Sequence, residues 1–432
     1  MMKYIRKITA LLLASILGLC SLFAQTPEAE AEVKAIFAAD PSCCVNTLHC
    51  YEAPEKIVDT PAPRGYKPFY VSHYGRHGSR THHSPNHLGR VLPVFDSLSA
   101  HNLLTEEGEA VYSDLKVIAE QHSGLMGYLT HKGAEQHQGI AHNLYERYPQ
   151  VFNQKDRREI YCVSTPVQRC IQSMANFCLE LGRENPKLEM TMDAGERYQE
   201  YLCNHDGSRK GAPGRDYEIA DSLLAVHLDP SRILGAWFTD APEALKYIKG
   251  GDVRTFIKNV VIAGGIEQNL DTDPDILRHF TVDELYAAWC HDSVTHYNSM
   301  CSTVENGRGR DIIGQRILRD IVEKADEALA GNDHAADLRF GHDTGLSPLL
   351  SLLRVEGLEE EHRLADAPTL WYGFRMMPMA SSLQLIFYRN KKGDVLVKLL
   401  RNECETTIPA LPTVQGPYYD WTTLREYFLS LL

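Results

Sequence analysis

Phe69-Tyr70-Val71-Ser72-His73-Tyr74 runs directly into Gly75-Arg76-His77-Gly78-Ser79-Arg80. The first six residues are aromatic and β-branched, and their number suits one buried strand. The next six are polar and carry glycines, so the strand delivers a turn. The same design recurs downstream, where Asp337 to Phe340 reads as a short strand and Gly341-His342-Asp343-Thr344 as the polar turn at its end. A further strand, Glu159 to Val163, precedes Ser164-Thr165-Pro166-Val167-Gln168-Arg169. Two helices open at Thr105, with Glu106 and Glu107 at its positive end, and at Thr130, the second running to about Arg147. Leu383 to Tyr388 and Val395 to Leu400 flank Asn390-Lys391-Lys392-Gly393-Asp394 as a β-hairpin. From Glu180 to Gly314 helical stretches alternate with loops such as Asn204 to Asp216, and Thr281-Val282-Asp283-Glu284 is a capping box. Strands at both ends around a helical middle predict an α/β fold: a central, mainly parallel sheet flanked by helices, formed by 64–179 and 315–432, with an inserted α-helical domain at 180–314.

The whole chain of 432 residues is 44% hydrophobic and 23% charged, which excludes collagen-like, coiled-coil and wholly disordered classes. Its one long apolar run, Ile8 to Cys20, is too short to span a bilayer and follows Lys3, Arg6 and Lys7, so residues 1–24 read as a Sec signal peptide. Export to a bacterial periplasm or the medium is the expectation. A lipidated Cys20 is disfavoured, because Leu17-Gly18-Leu19 lacks the small residue expected just before it. Cleavage after Ala24 removes three positive charges and no acid, taking the formal charge from −13 to −16. Such a chain is not a nucleic-acid binder, which needs a basic surface to displace counterions. Residues 25–63 read as an irregular N-terminal arm. Ten cysteines remain after cleavage, an even number that in an exported protein predicts disulfides of unspecified connectivity. No CxxC pair is present, which argues against structural zinc.

In Arg76-His77-Gly78-Ser79-Arg80 two guanidinium groups bracket an imidazole, and glycine lets backbone approach a ligand. Guanidinium forks pair with phosphate oxygens, and an imidazole between them is placed to attack phosphorus. The plain alternative is an exposed basic turn. His342-Asp343 adds a second imidazole and a carboxyl group able to protonate a leaving alkoxide; alone, it also reads as a capped turn.

In combination these stretches resemble the histidine acid phosphatase family, in the high-molecular-weight branch that includes phytases and glucose-1-phosphatases. Arg76-His77-Gly78-Ser79-Arg80 is similar to its N-terminal signature and Gly341-His342-Asp343 to its C-terminal one. Ser164 to Arg169 with Ser173 looks like the segment supplying a third arginine, and Leu129-Thr130 with Gly133, Gln136 and Gly139 like a helix-opening segment. The resemblance implies His77 as nucleophile, Arg76, Arg80, Arg169 and His342 as the phosphate clamp, Asp343 as proton donor, and no cofactor or metal. It implies a small-molecule phosphate ester as substrate, either an inositol phosphate such as phytate or a sugar phosphate. Thr81-His82 stands where the family often has proline, and Val163 where a basic residue is common. The His-Asp form also differs from the His-Ala-Glu of multiple inositol polyphosphate phosphatases.

The implied chemistry is a phosphohistidine relay in acid. Asp343 must start protonated to release the alcohol, and an ordinary Asp titrates near ~3.9, so activity is expected to fall as pH rises. The competing readings are a metal-dependent phosphohydrolase, suggested by His73, His77, His82, His83 and His87, a phosphomutase, and a non-catalytic binder of phosphorylated ligands. Arg76 and Arg80 are awkward neighbours for a metal cation, and His82, His83 and His87 are expected at the surface or rim. Tyr418, Tyr419 and Trp421 read as C-terminal packing, Met376, Met377 and Met379 as core filler, and Arg209, Lys210 and Arg215 as a solvated loop.

Overall fold

A computed structural model describes residues 26–203, 215–272 and 274–432. Residues 1–24, read above as a signal peptide and including Cys20, and the loop arginine and lysine at 209 and 210 lie outside the described residues. Eight strands form one sheet: β1 (Lys67–Arg76), β2 (Glu159–Ser164), β3 (Glu189–Ala194), β4 (His334–Gly341), β5 (Ser382–Arg389), β6 (Val395–Arg401), β7 (Cys404–Thr406) and β8 (Tyr418–Asp420). Their order is β3-β2-β4-β1-β5-β6-β7, with β8 also on β6. β3, β2, β4 and β1 run parallel, whereas the hairpin β5–β6 and its neighbours are antiparallel.

Nine helices position the site. They are α1 (Pro27–Ala39), α2 (Glu106–Gln121), α3 (His131–Arg147), α4 (Gln168–Glu184), α5 (Arg215–His227), α6 (Val253–Gly264), α7 (Val282–Met300), α8 (Asp311–Ala330) and α9 (Asp343–Leu353). The side-chain period of two along β1 feeds two cores. Val71 packs with Ile160, Leu338 and the inner faces of α3 and α4, while Tyr70 and Tyr74 join Ile317 and Ile321 of α8 on the opposite side. Covering both faces of β1 is what buries Tyr70, Val71 and Tyr74 together. The caps agree with the sequence: Thr105 and Thr130 accept from Gly108 N and Gly133 N, and Thr281 with Glu284 closes a full capping box. The tyrosines at 418 and 419, Trp421 and Met376, Met377 and Met379 are buried, as packing residues should be.

Three features differ from expectation. Residues 27–39 are helical, not irregular: Thr26 caps α1, Pro27 occupies its first position, and Val33 and Phe37 are buried, Phe37 edge-on to Trp289 at 5.6 Å. Ala, Glu and an N-terminal Pro are helix-start chemistry as much as arm composition. β3 places a sheet strand inside 180–314, beyond the expected start of the helical insert; half-exposed Glu189–Ala194 has an edge-strand pattern that is weak in sequence. Finally, all ten described cysteines are free thiols, because most are dispersed through the core as small apolar side chains; Cys162 and Cys178 approach to 3.1 Å. Among the described residues no helix is long and apolar enough to cross a membrane.

Candidate active site

The three polar turns read from the sequence lie side by side because β1, β4 and β2 are adjacent and parallel. Arg76 is paired with Gly341 and Ser164 with Phe340, so all three strands end at one level. That carboxyl edge is where open α/β sheets bind ligands. It opens into a cavity of ≈ 830 Å³ lined by His77, Arg80, Arg169, His342 and Asp343, with α6 and α7 as the far wall. Arg76 lies behind it, fully buried, and reaches Asp343 with Nη2 to Oδ2 at 2.8 Å. The structure therefore gathers all six predicted site residues.

His77 is 2% exposed, and its Nδ1 lies 2.9 Å from the Gly78 carbonyl oxygen. A carbonyl only accepts, so Nδ1 carries the hydrogen and Nε2 keeps its lone pair. Burial first, then Arg169, Arg76 and Arg80, hold its pKa well below the ordinary imidazole value. The same crowding acts on the arginines: burial, then Arg169 and Arg76, bring Arg80 down to about 9. The Nε of Arg76, Arg80 and Arg169 has no hydrogen-bond partner among the described residues. A cluster of cations with unpartnered donors is a site built for an anion.

Asp343 is the first residue of α9, where a carboxylate meets the positive helix end and accepts from Thr344 N at 2.8 Å. Burial pushes its pKa up, but Arg76, Arg80, His342 and His296 outweigh that and hold the carboxyl below the ordinary range. The expectation that Asp343 starts protonated is thus corrected for the ligand-free site. His342 meets His77 edge-on, ring planes at 75° and centroids 5.6 Å apart, with Nε2 3.2 Å from Thr165 Oγ1.

Gly78 answers to the protein, not to a ligand. A Cβ there would lie 2.4 Å from the Gly133 carbonyl oxygen, and one on Gly133 would lie 2.2 Å from that of Ser79. Ser173 accepts from Gly78 N at 3.1 Å and Gln136 from Ser79 N at 2.8 Å, so α3 and α4 hold the motif loop. Thr81 Oγ1 donates to the Leu125 carbonyl and accepts from Tyr128 N. His82 is not at the rim: it is fully buried, its N–H donating to His122 Nε2 at 2.8 Å, its ring stacked on His87. His83 and His87 do line the cavity, while His73 sits in the core between Phe177 and Phe340. Three groups of possible metal donors occur among the described residues, Asp40/Cys43/His49, His142/Glu180/Glu184 and Glu159/Asp333/His334, and none includes a residue of the cluster around His77.

Sequence reading missed the rest of the cavity. Val45, Thr47 and Leu48 come from the N-terminal segment, Arg90 follows the motif loop, and Lys258 is on α6. Asp292, Thr295, His296 and Ser299 on α7 recur at helical spacing, a polar stripe on an otherwise buried helix that was the available signal. His296 Nδ1 is 3.1 Å from Asp292 Oδ2; burial lowers its pKa, but Asp292 prevails and raises it to about 9.

Residues 75–187 match the sequence profile of the histidine phosphatase superfamily (branch 2). Among solved structures, the multiple inositol polyphosphate phosphatase of Bifidobacterium longum in complex with phosphate superposes with a TM-score of 0.72 at 17% identity, over 89% of this chain and 97% of that one. Its complex with inositol hexasulfate gives 0.68 at 19% identity and the same coverage. The phytase from D. castellii gives 0.67 at 15% identity, over 90% of this chain and 85% of that one. At such identities the likeness is one of fold. No curated protein matches the sequence significantly. The segment that matches the histidine phosphatase superfamily (branch 2) profile carries Arg76, His77 and Arg80, and over the rest of the chain the likeness is one of fold.

Proposed function

We propose that the protein is an exported phosphomonoesterase that works through a phosphohistidine intermediate in acid, on a substrate bearing several phosphates. The observation that carries this is the locked His77 tautomer: an Nε2 lone pair amid three guanidinium groups, with Asp343 on the same cavity. His77 Nε2 attacks phosphorus, forming a P–N bond as the P–O bond to the alcohol breaks, and Asp343 gives the leaving oxygen its proton. Water then attacks phosphorus, Asp343 takes a proton from it, and the P–N bond breaks to release phosphate. Arg76, Arg80 and Arg169 neutralise the charge on the equatorial oxygens throughout. Asp343 acquires its proton in the complex, because a bound phosphate dianion cancels the arginine field that keeps it ionised when free.

The choice of a polyphosphorylated substrate, an inositol phosphate before a simple sugar phosphate, is supported by the outer wall. Arg90, Lys258 and His296 add cationic side chains beyond the inner clamp. The fold relatives act on inositol polyphosphates or phytate by name, which points the same way. Export is supported by the leader-like residues 1–24.

The test is a substrate panel across pH on wild type, His77→Ala and Asp343→Asn, with chelator and vanadate separately. Labelled phosphate is expected on imidazole, stable in base and released by acid. Retained turnover in His77→Ala would falsify the mechanism. Loss with chelator alone favours a metal-dependent hydrolase, and tight phosphate binding without turnover favours a binder.

A further inference from the structure

We propose that Asn46 is a positioning residue for the Arg76 guanidinium, acting through the backbone turn from Asn46 to His49. The proposal deepens the phosphatase reading and rests on it for the role of Arg76. Asn46 has φ 56° and ψ −124°, a combination that only glycine adopts without strain. It is 0% exposed, and neither its side-chain oxygen nor its nitrogen has a hydrogen-bond partner among the described residues. Its own side chain therefore does not explain the conformation.

The turn that follows does. The Asn46 carbonyl accepts from His49 N at 3.1 Å, closing the turn, and the next three carbonyls are each pinned to a different part of the frame. Thr47 O accepts from Arg76 Nη1 at 2.7 Å, Leu48 O from Asn269 Nδ2 at 2.6 Å, and His49 O from Met379 N at 2.9 Å. Arg76 Nη1 has two hydrogens, and the second goes to Met377 O at 2.7 Å. Nη1 is therefore saturated by two neutral carbonyls. The other side of the fork is what can turn to a ligand: Nη2, which is ion-paired with Asp343 Oδ2 at 2.8 Å and keeps a second hydrogen, and the unpartnered Nε. The loop from Met377 also takes Arg76 N on Ser381 O at 2.8 Å and bonds the His77 carbonyl through Ala380 N at 2.9 Å. Turn and loop together aim the fork and the nucleophile. Returning residue 46 to negative φ swings the Thr47 carbonyl away, frees a hydrogen on Nη1 and lets the guanidinium rotate.

The test compares full-length mature wild type, Asn46→Val and Asn46→Gly. Calorimetry gives the Kd for inorganic phosphate, circular dichroism the fold, and steady-state assays kcat and KM. Folded Asn46→Val is expected to bind phosphate about tenfold or more weakly, with kcat/KM falling in parallel. Asn46→Gly, which takes the same backbone conformation without strain, is the rescue and is expected within about twofold of wild type. Should the valine variant not fold, Asn46→Ala, which carries the same backbone strain in less volume, replaces it. Wild-type phosphate affinity in the folded valine or alanine variant, or a glycine variant as weak as either, overturns the proposal. A wild type that binds phosphate yet hydrolyses no ester defeats the functional reading instead, and the binding comparison still decides the role of Asn46.

Discussion

At the scale of single residues the cavity is a balance between burial and charge. His77 is buried among cations, so protonating it is doubly disfavoured, and its lone pair persists through mild acid. The acid limb of kcat/KM is therefore expected below the ordinary imidazole value of about 6.5, measured on a substrate whose own titration lies elsewhere. His77→Ala is expected to lower kcat by roughly 10⁴-fold or more while leaving phosphate binding largely intact, since the arginines hold the anion. Asp343 poses the opposite problem. Its carboxyl is kept ionised by Arg76 and Arg80, and only a ligand that neutralises them raises its pKa. Phosphate binding should thus take up a proton, so affinity strengthens as pH falls. Calorimetry in two buffers of different ionisation enthalpy is expected to show this uptake in wild type and its loss in Asp343→Asn, after the phosphate's own ionisation is subtracted.

At the scale of elements, the site depends on how closely α3 approaches the loop after β1. Gly78 and Gly133 meet backbone to backbone, so Gly78→Ala or Gly133→Ala forces α3 and the loop apart. Each is expected to cost about 1–3 kcal/mol of stability, read as a lower denaturation midpoint, together with most of the activity. Gly139 is the control on the same helix. A Cβ there meets nothing within 4 Å, so Gly139→Ala is expected to stabilise by roughly 0.5–1 kcal/mol with activity unchanged. The pattern separates tight packing from helix propensity, which a reading of glycines in sequence does not.

Across the whole molecule, acid works against the fold at the pH range proposed for its chemistry. His73 and His137 are fully buried beneath the site, and burial, the largest cause for both, lowers each to about 3. Unfolded, each titrates near the ordinary value of about 6.5, so the unfolded chain binds more protons and stability is lost as pH falls from there toward 3. The loss is roughly 2 kcal/mol for each by pH 5. Denaturant midpoints measured between pH 7 and 5 should fall accordingly, and more gently in His73→Leu. How much of this was legible depends on range. The strand-turn units ending in Arg76-His77 and His342-Asp343, the helix starts at Thr105, Thr130 and Thr281, and the hairpin from Leu383 were open to reading because strand period, caps and turn chemistry are local. The partners of those units are not local. That Thr47 holds Arg76, that His296 and Lys258 face His77, and that Asp343 is ionised depend on residues far apart in the chain. The sequence by itself determined which reactive groups stand at the ends of which strands. Tertiary structure alone decided their protonation and aim, because burial and the field of neighbouring charges exist only once the strands are side by side.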